Sequence, residues 1–262
     1  MASLVGSRVE RKEDKRFLTG KGRYTADINL ANQTYAIFIR SPHARAKIKK
    51  IDTSKALKAS GVVEILTGED IAKDKIGGLI AGWAIRSEDG SEMKCPPNPP
   101  LAKDNVNFVG DPVAVVFAET LDEASAAADL VKVDYKVLKA VASLADTMKS
   151  EAIHEGIEKN LCFDWLLGDR QKVKEAFDKA DKIIKLDITN NRLIPNAMEP
   201  RACVIDYNTA SEEITCYTTS QNPHLSRLIM SAFGGVTPEN KLRVIAPDVG
   251  GGFGSKINLY NE

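Results

Sequence analysis

The sequence predicts an α+β protein of one or two domains. Strand-like and helical patterns alternate up to about residue 138, and a second strand–helix series resumes after residue 168. At 262 residues, with 43% of them hydrophobic, the chain is long enough to bury a sizeable core.

The elements follow from local patterns. After a charged arm, "QTYAIFIRS" (33–41) alternates apolar and polar residues, "AKIKKID" (46–52) does so less cleanly, and "GVVEILTG" (61–68) is a compact β-branched run. All three read as strands, and "DTSKALKAS" between the last two supplies a cap and a short helix. From Lys73 to Leu101 periodicity is poor and "CPPNPP" intervenes, which predicts an irregular excursion. "DPVAVVFAE" (111–119) is the next strand. Thr120 and Glu123 then stand at capping-box spacing before an alanine-rich helix, and "VKVDYKV" closes the unit as a strand. A first domain over 1–138, arm included, is therefore expected, with a second region over 139–262 that opens on a polar linker.

In that second region Asp169 caps the helical "RQKVKEAFDKAD", and Ile184, Leu186 and Ile188 alternate in a predicted strand, "KIIKLDITN". "RACVIDYN" (201–208) and "EITCYTTS" (213–220) flank a turn as a hairpin. "NPHLSRLIMSAFGG" places Leu225, Leu228, Ile229, Ala232 and Phe233 on one helix face and stops at Gly234 and Gly235. "KLRVIAP" is the last strand. There is no internal repeat.

Composition excludes several function classes. Lysine plus arginine and aspartate plus glutamate number 36 each, so no global charge favours nucleic acid or an anionic membrane. No apolar run has membrane-spanning length and the first residues lack a signal-peptide core, so a cytoplasmic location without a membrane span is expected. Cys95, Cys162, Cys203 and Cys216 are widely spaced, which predicts free thiols and no iron–sulfur cluster on this chain. His43 and His224 sit at a turn and a helix start, and both read as structural rather than metal-binding.

The chemistry concentrates in "PDVGGGFGSK" (247–256). It is not a Walker A loop, because Ser255 precedes Lys256 and Ile257 follows. It also fails the dinucleotide fingerprint, because a fingerprint starting at Gly250 ends on Ser255. The cluster is either a mobile turn or a place where ligand atoms approach peptide N–H groups that no Cβ shields. A strand ending in "TSQNPH" and a strand delivering the loop are separated by a helix, an order that brings Gln221 and the glycine backbone to one place. Gln221 either presents its amide to a polar cofactor atom or caps the following helix. Arg201 either approaches a cofactor or pairs with Glu199, and the pair is the expected arrangement.

The ordered motifs "VGSRVERKEDKRFLTGKGRYTADI", "RSPHARAKIKKIDTSKA", "SGVVEILTGEDI", "VGDPVAVVFAET", "NAMEPRACV", "TSQNPH" and "PDVGGGFGSK" resemble the molybdenum-binding large chain of the xanthine dehydrogenase and aldehyde oxidase family, with carbon monoxide dehydrogenase-type chains nearest. That resemblance implies an a/b hammerhead domain up to about residue 138, then the start of a molybdopterin-binding domain. It further implies that Gln221 hydrogen-bonds an oxo-type ligand of molybdenum, and that Gly251, Gly252, Phe253 and Gly254 line the cofactor. Phe253 is either a wall of the substrate pocket or a core anchor. The implied cofactor is molybdenum-molybdopterin in its cytosine dinucleotide form. Iron–sulfur and FAD groups are expected on partner subunits, in a dimer of heterotrimers acting on a small-molecule substrate.

Two departures qualify the resemblance. The purine-oxidising branch carries a glutamate where this chain has Ile257, which disfavours purines. The family's later pterin contacts and its general-base glutamate have no match within residues 1–262, and Glu262 does not fit the base. Residues 1–262 alone are therefore expected to lack turnover and to expose apolar surface over 181–262. A non-catalytic assembly module derived from the family is the alternative.

Overall fold

The computed structural model describes residues 5–81 and 84–262. In chain order the elements are α1 (Asp14–Leu18), β1 (Tyr35–Arg40), β2 (Ala46–Asp52), β3 (Val62–Thr67), α2 (Gly68–Lys73), β4 (Asn105–Val106), β5 (Pro112–Ala118), α3 (Leu121–Leu130), β6 (Lys132–Val137), α4 (Leu144–Thr147), α5 (Arg170–Asp178), β7 (Cys203–Asn208), β8 (Glu213–Thr218), α6 (Pro223–Leu228) and β9 (Leu242–Ile245). The chain divides into two compact units. One holds residues 34–194 with Asn261, and the other holds the described residues up to Gln33 together with 195–260 and Glu262. Residues 139–194 thus cluster with the preceding strands, and the N-terminal arm clusters with the C-terminal region.

The 34–194 unit contains two antiparallel sheets, ordered β1-β5-β3 and β4-β2-β6. Strand β5 is central and nearly all of it is buried, as its unbroken apolar run requires of a strand covered on both faces. Val113 packs with Ala46, Ala102 and Val106 between the two sheets, while Val116 packs with Ala56, Ile65 and Ala127 under α3. The alanines of α3 are what let the helix lie close to the sheet: Ala124 and Ala127 are fully buried. The Thr120 hydroxyl accepts from the Glu123 N–H (3.2 Å) and donates to the Glu123 carboxylate (2.8 Å), so the capping pair forms, although the glutamate meets the hydroxyl rather than the cap N–H. Asp169 caps α5 by accepting from Lys172 N–H at 3.0 Å.

One predicted strand is absent. Residues 182–190 alternate as a strand should, yet they pair with no ladder, and Ile184, Leu186 and Ile188 are exposed. Alternation specifies which side chains share a face; only a partner strand completes the hydrogen bonds. Three short helices went unread from the sequence: α1 in the charged arm, α2 after β3, which opens on a Thr67–Asp70 capping box, and α4 in the segment read as a polar linker.

In the second unit β7 and β8 form the predicted hairpin, with Asn208 Oδ1 accepting from the N–H groups of Ala210 and Ser211 at the turn. Strand β9 then pairs parallel to β8, with Tyr217 opposite Ile245. A parallel pair needs a crossover, supplied here by α6, a π-helical turn over Ile229–Phe233 and a 3₁₀ turn over Glu239–Lys241. The carboxyl ends of β8 and β9 consequently open at the same edge, and the segments that leave them, 219–222 and 246–256, meet there.

Candidate functional site

The site is built from those two segments. After β8 the chain turns through hydroxyl-mediated contacts: Thr219 Oγ accepts from Ala202 N–H (3.0 Å), and Ser220 Oγ accepts from Asn222 N–H (3.0 Å). Asn222 caps α6 by accepting from Leu225 N–H at 3.2 Å, with Pro223 in the first turn. The cap is therefore Asn222, and Gln221 is released from that role.

Gln221 instead reaches the glycine loop. Its Oε1 accepts from Gly254 N–H (3.0 Å) and Lys256 N–H (3.2 Å), and its backbone N–H donates to the Lys256 carbonyl (2.8 Å). Both backbone donors meet the carbonyl side of the amide, so the NH₂ side is left for another acceptor. The fit is close: a Cβ on Gly252 would lie 2.4 Å from Gln221 Oε1.

The loop conformation demands glycine at two further points, since φ is +97° at Gly251 and +88° at Gly254. Phe253 also has positive φ, at 51°, and is 75% exposed, so it anchors no core in this unit. Its ring lies over Gly251, where an added Cβ would come within 2.9 Å of it. Among the described residues the N–H groups of Gly251, Gly252 and Phe253 have no protein acceptor. Successive unpaired N–H groups in such a turn form a concavity that takes anionic or oxygen-rich groups.

Charged residues brace the loop on its inner side. Lys256 is buried, with its side chain 2% exposed, and its Nζ donates to Glu199 O (2.8 Å) and Oε2 (3.2 Å). Glu199 Oε2 also accepts from Gly250 N–H at 2.7 Å, while Glu199 Oε1 is buried with no partner. Arg201 pairs with Glu262 and stacks over the Tyr260 ring at 3.8 Å. The expected Arg201–Glu199 pair is thus replaced on both sides: Glu199 takes Lys256, and Arg201 takes Glu262. Sequence reading missed the Glu199–Lys256 pair, for which the only signal was a charge flanking each of the two motifs.

The loop's entry is tied to the arm. Asp248 accepts from Arg16 Nη2 (2.6 Å) and Arg23 N–H (2.7 Å), and donates its own N–H to Arg23 O (3.0 Å). The Arg16 guanidinium, and next the Arg23 N–H, hold the Asp248 carboxyl below its usual range. Nearby on the hairpin, burial pushes the Cys216 thiol up to about 12. All four cysteines are free thiols. His43 packs edge-on against Tyr135 at 5.1 Å, and among the described residues no group of His, Cys, Asp and Glu is arranged to hold a metal ion.

Residues 19–139 match the family described as aldehyde oxidase and xanthine dehydrogenase, a/b hammerhead domain, and residues 153–262 match the molybdopterin cofactor-binding domain. The chain is 34% identical to the nicotine 6-hydroxylase large subunit of Paenarthrobacter nicotinovorans, over 99% of this chain and 31% of that one. It is also 34% identical to the carbon monoxide dehydrogenase large chain of Afipia carboxidovorans, over 98% of this chain and 32% of that one. Its structure is similar to quinoline 2-oxidoreductase from Pseudomonas putida 86, with TM-score 0.84 and 31% identity, covering 98% of this chain and 32% of that one. The chain spans about a third of the length of these relatives.

Proposed function

The chain belongs to the aldehyde oxidase and xanthine dehydrogenase family, and from that premise we propose that it forms part of a molybdenum hydroxylase large subunit. The proposed reaction is oxidative hydroxylation of an aldehyde, a heterocycle or a carbon monoxide-type substrate, with water as oxygen donor. The observation that carries the proposal is the Gln221 amide. Its oxygen is taken up by two loop N–H groups, which directs its donor side to a ligand.

A molybdopterin group fits these residues. Three consecutive unpaired N–H groups at Gly251, Gly252 and Phe253 suit an oxygen-rich ligand, and the missing Cβ at Gly252 leaves room for the amide that accompanies them. When bound, the molybdenum cofactor supplies a redox centre able to accept the electrons of the hydroxylation. Gln221 donates its Nε2–H to an acceptor of the cofactor, and such a preorganised donor favours a state in which negative charge develops there. Phe253, exposed and with its ring over Gly251, bounds the substrate side. Ile257 stands where purine oxidation would need a carboxylate, which directs the specificity to less polar substrates.

The same proposal extends to the cytosine dinucleotide form of the cofactor and to a domain boundary near residue 138. It also includes partner subunits carrying iron–sulfur and FAD groups, assembled as a dimer of heterotrimers. Among the described residues no helix is long and apolar enough to cross a membrane. A cytoplasmic location is part of the proposal.

The test is to produce the chain together with the polypeptides encoded beside it and to measure molybdenum, pterin and bound nucleotide. Dye-coupled oxidation of an aldehyde and an N-heterocycle is then assayed. Stoichiometric molybdopterin with turnover supports the reading, and an assembled complex free of pterin under molybdate-replete growth sinks it.

A further inference from the structure

We propose that Lys256 is a positioning residue that fixes the orientation of the Gln221 amide, held in place by its buried contact with Glu199. The inference rests on the reading of Gln221 given above. Lys256 meets Gln221 twice: its N–H donates to Gln221 Oε1 (3.2 Å), and its carbonyl accepts the Gln221 backbone N–H (2.8 Å). With Gly254 N–H as the second donor to the same oxygen, a flipped amide would set its NH₂ against two N–H groups. The orientation is thus decided by where Lys256 and Gly254 hold their backbone.

The side chain of Lys256 runs the other way, into the protein. Its ammonium, almost wholly buried, donates to both the carbonyl and the carboxylate of Glu199. The same carboxylate accepts from Gly250 N–H (2.7 Å), and Glu199 N–H donates to Gly250 O (3.2 Å). Glu199 therefore joins the first glycine of the loop to the lysine at its end and closes the loop across its base. The buried ammonium has no water to fall back on, so its hydrogen bonds are met only where Glu199 O and Oε2 stand. Lysine here specifies the loop, and through the loop it specifies the amide.

The alternative is that the pair only stabilises the fold, and the test separates the two. Lys256→Met and the charge-neutral pair Glu199→Gln with Lys256→Met are introduced into the assembled complex. The second variant strands no buried charge and keeps an acceptor for Gly250 N–H. Turnover per bound molybdenum and hydrogen exchange over the peptide containing Gly254 and Lys256 are measured, each also in a Gln221→Ala background. In the neutral pair, turnover falls by at least about tenfold on the native background and by less than about threefold on Gln221→Ala, because the lysine acts through the glutamine. Exchange at Gly254 accelerates by at least about tenfold. Rate losses that multiply in full on Gln221→Ala overturn the proposal, as does unchanged exchange at Gly254. Should Gln221→Ala itself turn over at the native rate, the functional reading of Gln221 fails. Exchange at Gly254 then decides the positioning role alone: faster exchange upholds it and unchanged exchange overturns it.

Discussion

Arg16 and Asp248 are 232 residues apart in sequence and form a two-point ion pair that ties the N-terminal arm to the entrance of the glycine loop. Because the Asp248 carboxyl is held below its usual range when folded, its contribution to stability is present above the unfolded carboxylate pKa. That contribution is lost as pH falls through the depressed folded value. Asp248→Asn should flatten the acid side of the stability profile and leave the neutral side parallel to the native one. Melting temperatures followed from about pH 7 to about pH 3 measure this, and identical acid-side slopes would remove Asp248 from the account.

Gln221→Ala separates the cofactor role from a capping role. One donor lost at a developing charge is worth about 3–4 kcal/mol, on the order of a hundred- to thousand-fold in turnover. The fold should persist, since Asn222 is the cap. Asn222→Ala should show the reverse pattern, about 1 kcal/mol of lost stability with turnover per molybdenum unchanged. Steady-state rates and thermal melts on both variants test the pair.

Two glycines of the loop should fail differently. Gly252→Ala brings a Cβ to 2.4 Å from Gln221 Oε1 and must displace the amide, so molybdenum content and turnover should both drop. At Gly254 an added Cβ meets open space but must adopt φ +88°. Gly254→Ala should cost about 1–2 kcal/mol in stability, with a smaller loss of bound molybdenum than Gly252→Ala. Metal analysis beside melting curves discriminates them, and equal metal loss in the two would argue against a steric role for Gly252.

In the sheet-and-helix unit, Ala127→Leu should destabilise by about 1–3 kcal/mol through overpacking. Ala127 is fully buried against Val116 and Ile65. Denaturant melts give the number, and a neutral result would mean that α3 shifts outward at little cost.

Thiol labelling should follow burial. Cys216, buried and pushed up to about 12, should resist alkylation in the native state at about pH 8, while the exposed Cys95 reacts. Peptide mapping after brief labelling reads this directly, and early modification of Cys216 would contradict its burial.

What the sequence determined by itself was local and periodic. The unbroken apolar run of β5 requires burial on both faces, Thr120 and Asp169 sit where helices need caps, and the motif order carries the family resemblance. It also brought Gln221 and the glycine loop together, because a strand–helix–strand crossover returns two strand ends to one edge. Tertiary structure decided what depends on partners distant in the chain. Residues 182–190 have the alternation of a strand without a neighbour to pair with, and their apolar side chains stay exposed. Glu199 and Arg201 are two residues apart and opposite in charge. Each nonetheless takes a partner more than fifty residues away, Lys256 and Glu262. Ion pairing is chosen by where side chains converge after folding, and sequence proximity carries little weight once the backbone aims neighbouring side chains apart. Which side of the Gln221 amide faces outward was settled in the same way, by two N–H groups more than thirty residues downstream.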